Sequence, residues 1–221
     1  MARSTASALT RIYDLLHAAY GPQYWWPART RDEIVIGAVL AQNTAWPNAA
    51  RAIAKLREAD RLSLRRIHRT PPERLARLIR SSGTHRVKAR RLLNLTGWLE
   101  QHFDGDLDAL FDLGVVAARR GLLTVNGIGP ETADAILLYA GGLPTFVVDA
   151  YTQRVLRRHR LIGPQADYQQ TKALFERALP RRQKLFAEYH ALLVAVGKHH
   201  CRPRARCMGC PLEALPHDAD R

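Results

Sequence analysis

Apolar residues recur every three or four positions through most of this chain, and that period belongs to helices rather than to strands. The most apolar short run is residues 34–41, IVIGAVLA. Thr30 and Glu33 ahead of it fit a capping box, which predicts a buried helix running towards Asn43 and Thr44. Without its cap the same run would suit a strand equally well. Segments 49–58, 72–80 and 88–102 place apolar residues at helical spacing with basic residues on the other face. Residues 185–196 predict a strongly apolar helix, with Gly197 as its C-terminal stop. Alternating apolar and polar runs are scarce; residues 145–148, TFVV, are the best strand-like piece and a very short one. The predicted class is all-α, with no internal repeat and no low-complexity linker.

Composition changes that picture in three ways. The 221 residues suffice for one large domain or two small lobes, and 47% hydrophobic residues exclude wholesale disorder. Lys and Arg number 34 against 20 Asp and Glu, a net charge of +14 that favours a polyanionic partner, nucleic acid first. A basic surface kept for solubility, or the arginine bias of a GC-rich genome, would give the same balance. No stretch reaches the roughly 20 apolar residues of a membrane span, and the start lacks an apolar core followed by a cleavage site. The three cysteines, Cys201, Cys207 and Cys210, are odd in number and clustered. That argues for a reducing cytoplasm with a metal site, or its remnant, rather than a disulfide framework.

The chemistry concentrates in residues 117–159, AARRGLLTVNGIGPETADAILLYAGGLPTFVVDAYTQRVLRRH. A helix ending near Leu123 leads into a tight turn over residues 125–129, and Pro130 suits the first position of a new helix over 131–140. Glycines at 127 and 129 allow positive φ and leave backbone amides bare to a phosphate. The following helix adds its positive end at the same place. Asp149 then lies 20 residues beyond Gly129 and opens a helix carrying Arg154, Arg157 and Arg158.

Hairpin, GLPT loop at 142–145 and the VDAYT at 148–152 resemble, in register, the helix–hairpin–helix DNA glycosylases of the endonuclease III superfamily. AVLAQNT at 38–44 resembles the family's first barrel helix and the glutamine-bearing loop after it. The tail from Cys201 to Leu212 resembles its cluster-binding tail. The similarity spans roughly residues 30–212, and its details most resemble a branch that includes a monofunctional 3-methyladenine glycosylase. It implies two helical lobes with a DNA-binding cleft between them. One is a central barrel lobe, 31–142, ending in the helix–hairpin–helix of 116–140. The other joins 1–30 to 143–221 and carries the catalytic aspartate and the cysteine tail. The expected partner is double-stranded DNA with a damaged base, met by a monomer in a bacterial-type cytoplasm close to the nucleoid.

The resemblance also assigns roles. Asp149 is the catalytic carboxylate, which stabilises positive charge on the sugar as the N-glycosidic bond breaks; a plain N-cap would explain an Asp there too. Glu131 stands where bifunctional members carry a nucleophilic lysine, and a carboxylate cannot form a Schiff base. Gln42 matches the residue that fills the gap left by the flipped base. Gly127, Ile128, Gly129 and Arg154 are expected to contact DNA, with Arg157 and the pair Arg90–Arg91 as further candidates. Asn43, Trp46, Glu131 and Trp25 are expected to line the base pocket, with Trp26 beside them; a Trp is more often core than stacking platform. Lys88 and His85, after the Gly83 turn, are candidates for a second backbone clamp.

A 4Fe–4S cluster takes four Cys thiolates. Here the spacing is C-x5-C-x2-C, the fourth position is Pro216, and His217 follows it. A cluster one cysteine short, a Cys3His zinc site and a tail with no metal all stay open. The function expected is a monofunctional glycosylase acting on an alkylated purine. The alternatives are a glycosylase/lyase acting on oxidised pyrimidines, with another amine such as Lys198, and a non-catalytic DNA-binding protein.

Overall fold

The structure, a computed structural model, describes residues 2–219. Among these residues there is no strand, and no helix is long and apolar enough to cross a membrane. Helix α1 (Ala2–Tyr20) is followed by a group of eight helices. These are α2 (Arg31–Leu40), α3 (Trp46–Glu58), α4 (Leu64–His68), α5 (Pro72–Leu78), α6 (His85–Phe103), α7 (Leu107–Phe111), α8 (Gly114–Thr124) and α9 (Pro130–Ala135). The chain closes with α10 (Ala150–Arg158), α11 (Tyr168–Ala178) and α12 (Gln183–His199). It divides into two compact units: Trp26–Leu143, and the residues up to Trp25 together with those from Pro144 onward.

In the unit Trp26–Leu143, α6 is the longest helix and packs on α2, α4 and α5 through buried Leu92, Leu95 and Leu99. The apolar run at 34–41 is helical, as its cap predicts. Thr30 accepts the Glu33 N–H at 3.2 Å. The reciprocal arm of the box is made differently: Glu33 accepts from the Arg29 N–H at 3.2 Å and from Arg57 at 2.6 Å. Burying Glu33 is tolerable because both carboxylate oxygens are satisfied. The helix expected over 131–140 starts at Pro130 and widens into a π-helical turn at Ile136–Ala140, where the Gly141 N–H reaches back to the Ile136 carbonyl.

In the other unit, Phe146, Phe175, Phe186 and Tyr189 form an aromatic core. The rings of Phe146 and Phe175 stack 3.7 Å apart, and the Tyr189 hydroxyl donates to the Leu9 carbonyl of α1. The strand-like residues 145–148 belong to no strand. The Phe146 N–H donates to Glu176 and the Val148 N–H to the Tyr168 hydroxyl, so α11 satisfies the backbone a ladder would have used. Gly197 does not stop α12, which runs on to His199. It is a glycine because a Cβ there would overlap the Tyr151 side chain of α10.

Candidate nucleic-acid interface and active site

Helices α8 and α9 form the helix–hairpin–helix. A bidentate pair fixes their angle: Arg119 donates to both oxygens of Asp134, at 2.9 and 3.1 Å, and Asp134 is fully buried. The turn between them closes when the Ile128 N–H donates to the Val125 carbonyl. Ile128 itself is buried and anchors the turn by its side chain. Gly127 takes φ +96°, and a Cβ there would run into Arg91. Gly129 does not use the left-handed region; its φ is −90° and it serves as the N-cap of α9. Among the described residues the Gly127 and Gly129 N–H groups donate to no protein acceptor. Two backbone donors are thus held outward in a turn that costs the fold no unpaired buried group.

Gln42 is tied directly to this turn. Its Nε2 donates to the Gly127 carbonyl at 3.1 Å and to the Thr132 hydroxyl at 2.8 Å, and its Oε1 accepts from Arg91 at 2.6 Å. Asn94 of α6 donates to the Asn126 carbonyl from the other side. Asn43, next to Gln42, is exposed with φ +49°, and Glu131 is exposed in the first turn of α9. Trp46 is half-buried against the edge of Trp26, whose ring also meets Tyr139. Lys88 is buried and does not face outward as a clamp would. Its Nζ donates to the Leu40 and Ser82 carbonyls at 2.8 and 2.6 Å, and burial and then the Arg91 charge push its pKa down to about 8.

In the other unit Asp149 caps α10, accepting the Thr152 N–H at 2.7 Å. Its carboxylate is 13% exposed and lies 3.7 Å from Nε2 of buried His190 on α12. Burial pushes the Asp149 pKa up, but the close approach of His190, with the Thr152 contacts, outweighs it and leaves the carboxyl below its ordinary value. Trp25 lies over His190, ring centres 5.5 Å apart, and the Lys198 ammonium sits 5.8 Å from the Trp25 ring centre. This unit therefore assembles a capped anion, an imidazole, an indole face and an exposed amine. His190 was not foreseen; the one sequence signal for it is a lone imidazole inside the apolar run 185–196.

Arg154 and Arg158 of α10 face the C-terminal tail. Arg154 Nε donates to the Cys201 carbonyl at 2.6 Å while its guanidinium covers the Tyr151 ring, and Arg157 donates to the Ala166 carbonyl. Buried Arg158 donates to Cys201 Sγ at 3.2 Å and to the carbonyls of Arg202 and Pro203 at 2.6 and 2.8 Å. Cys201, Cys207 and Cys210 are free thiols lining one small cavity with Arg158 and His217. Burial, then the other two cysteines among the nearby groups, raise the Cys210 pKa. Among the described residues no group of three or more His, Cys, Asp or Glu is arranged to hold a metal ion. Three thiols without a fourth do not fit the four-thiolate set of a 4Fe–4S cluster.

Comparison with known proteins finds relatives among DNA repair glycosylases. The archaeal "Putative DNA repair glycosylase MJ1434" of Methanocaldococcus jannaschii is 43% identical over 204 residues, 92% of this chain and 93% of the relative. H. pylori 3-methyladenine DNA glycosylase MagIII, solved bound to 1,N6-ethenoadenine, superposes with TM-score 0.76 at 28% identity, covering 88% of this chain and 97% of that one. A non-covalent endonuclease III–DNA complex shares the fold at TM-score 0.81 and 22% identity, covering 96% and 94% of the two chains. Residues 36–181 match the description "HhH-GPD superfamily base excision DNA repair protein", and the chain is a member of that family.

Proposed function

We propose that this glycosylase is monofunctional and releases an alkylated purine from duplex DNA by hydrolysis. The observation that carries the reading is the setting of Asp149: a carboxylate held ionised beside His190 and Thr152, with only a small part of it open to water. As the bond from C1′ to the base nitrogen breaks, positive charge builds on the sugar and this anion stabilises it. Water then bonds to C1′, and its proton passes to the carboxylate or to solvent. A purine alkylated on a ring nitrogen already carries positive charge, so it departs neutral and asks for no general acid. The MagIII likeness points to the same substrate class.

Glu131 supplies no amine in the first turn of α9, which supports hydrolysis without strand cleavage. Gln42 is proposed to fill the gap left by the extruded base, Asn43, Trp46 and Trp25 to contact that base, and the Gly127 and Gly129 amides to hold a phosphate.

The test uses duplexes carrying one 3-methyladenine, one thymine glycol or one abasic site. Strand breaks appearing only after alkali, and only on the alkylated duplex, are expected. Breaks without alkali would refute the monofunctional reading; borohydride trapping, repeated on Lys198→Ala, would then show whether the amine beside Trp25 is responsible. Turnover confined to thymine glycol would refute the alkylated-purine reading.

A further inference from the structure

Among the described residues Tyr24 is the one Phe, Trp or Tyr side chain that the fold leaves exposed, at 83%; the rest are buried or half-buried. Its backbone lies in the left-handed region, φ +51°, which residues other than Gly, Asn and Asp rarely adopt. Nothing in the protein repays that conformation. Among the described residues Tyr24 enters no hydrogen bond, ion pair or ring contact. Its neighbours, by contrast, are both fastened to α12. The Gln23 N–H donates to Glu188 at 2.7 Å, and the Trp25 ring lies over His190. The Gln23 side chain also donates to the carbonyls of Tyr20 and Gly21. An apolar ring is thus held in water between two anchored residues, forgoing the burial that would stabilise it.

Position in the fold narrows what such a ring meets. Trp25, the next residue, covers His190, and His190 approaches Asp149 at 3.7 Å; the Lys198 ammonium stands near the same indole. Tyr24 therefore borders the group proposed to act on the sugar. Bases paired within a duplex cover one another's faces, whereas a base that has left the stack presents bare ones. Aromatic side chains stack on such a base whatever its identity. We propose that Tyr24 stacks on a base that has left the helix, adding a second aromatic platform beside Trp25. Its contact favours an unstacked nucleotide over a paired one before any bond is broken. The inference rests on the DNA binding and base extrusion of the function above, and not on which lesion is released.

The test compares binding of two undamaged duplexes, one fully paired and one carrying a single unpaired adenine, so it stands whether or not base release is observed. Tyr24→Ala is expected to weaken binding to the duplex with the unpaired adenine by about 10-fold, within the worth of one aromatic–base stack. Binding to the paired duplex should change less than about twofold, since it offers no bare base face. The slope of log K against log salt should stay as in wild type, because a neutral side chain neutralises no phosphate. Tyr24→Phe, which keeps the ring, should bind both duplexes as wild type does. Tyr24→Gly, which suits a positive φ, should keep the thermal midpoint and still show the loss, guarding against a folding defect. No loss in the Ala and Gly variants, an equal loss on both duplexes, or the same loss in Tyr24→Phe would overturn the proposal.

Discussion

Asp149 carries two demands on one carboxylate, and they can be separated. As an N-cap it contributes roughly 1 kcal/mol, and Asn caps about as well as Asp. As the proposed anion beside the sugar it needs its charge. Asp149→Asn should therefore keep the cap and duplex binding, losing only what the charge adds to stability, while lowering single-turnover base release by about 100- to 1,000-fold. Equal losses in stability and rate would reduce Asp149 to a cap. The lowered pKa has a second consequence, with a definite sign. A carboxyl whose folded pKa lies below its unfolded value of about 3.9 stabilises the fold above that value and loses the contribution as pH falls through the folded one. Urea unfolding of wild type and Asp149→Asn should give a constant difference above about pH 5 and a shrinking one below about pH 4.

At the scale of elements, the sequence was legible where one rule decided and illegible where two side chains far apart had to meet. The cap at Thr30, the tight turn at 125–129 and the helix opened by Asp149 follow from local chemistry, and they form as expected. The Arg119–Asp134 pair that sets the hairpin angle, and the His190–Asp149 approach, depend on packing that no window of sequence contains. Residues 145–148 look strand-like in sequence for the same reason: the Phe146 and Val148 N–H groups go to α11 side chains, which no local pattern reveals. Gly197 is the sharpest case, because a glycine near a helix end reads as a stop, while here it admits Tyr151. Gly197→Ala gains about 1 kcal/mol of helix propensity and loses about 1–3 kcal/mol to overpacking. A net drop in thermal midpoint is expected, and a rise would show that α10 and α12 can move apart freely.

At the scale of the molecule, the surplus of positive charge serves more than one end. Some of it lines a groove between α5 and α6, and some is folded inward at the last turn of α10. There Arg158 reaches residues 201–203 with its guanidinium, while its carbonyl accepts the Asp218 N–H and neighbouring His159 meets the Pro216 carbonyl. Both ends of the cysteine tail are fastened to one turn of helix. Arg158→Ala should cost about 3 kcal/mol, the scale of losing a buried charged donor with several acceptors. It should also open the segment 201–218 to trypsin before the rest of the chain; cleavage no faster than in wild type would show that the tail holds by packing alone. Because that guanidinium is buried under carbonyls residues 202–203 supply, removing the segment would cost those hydrogen bonds and open the last turn of α10 to water. Residues 201–218 thus act as a latch on α10: a cut within them should lower conformational stability as well as free the segment, so local cleavage and loss of the fold are coupled.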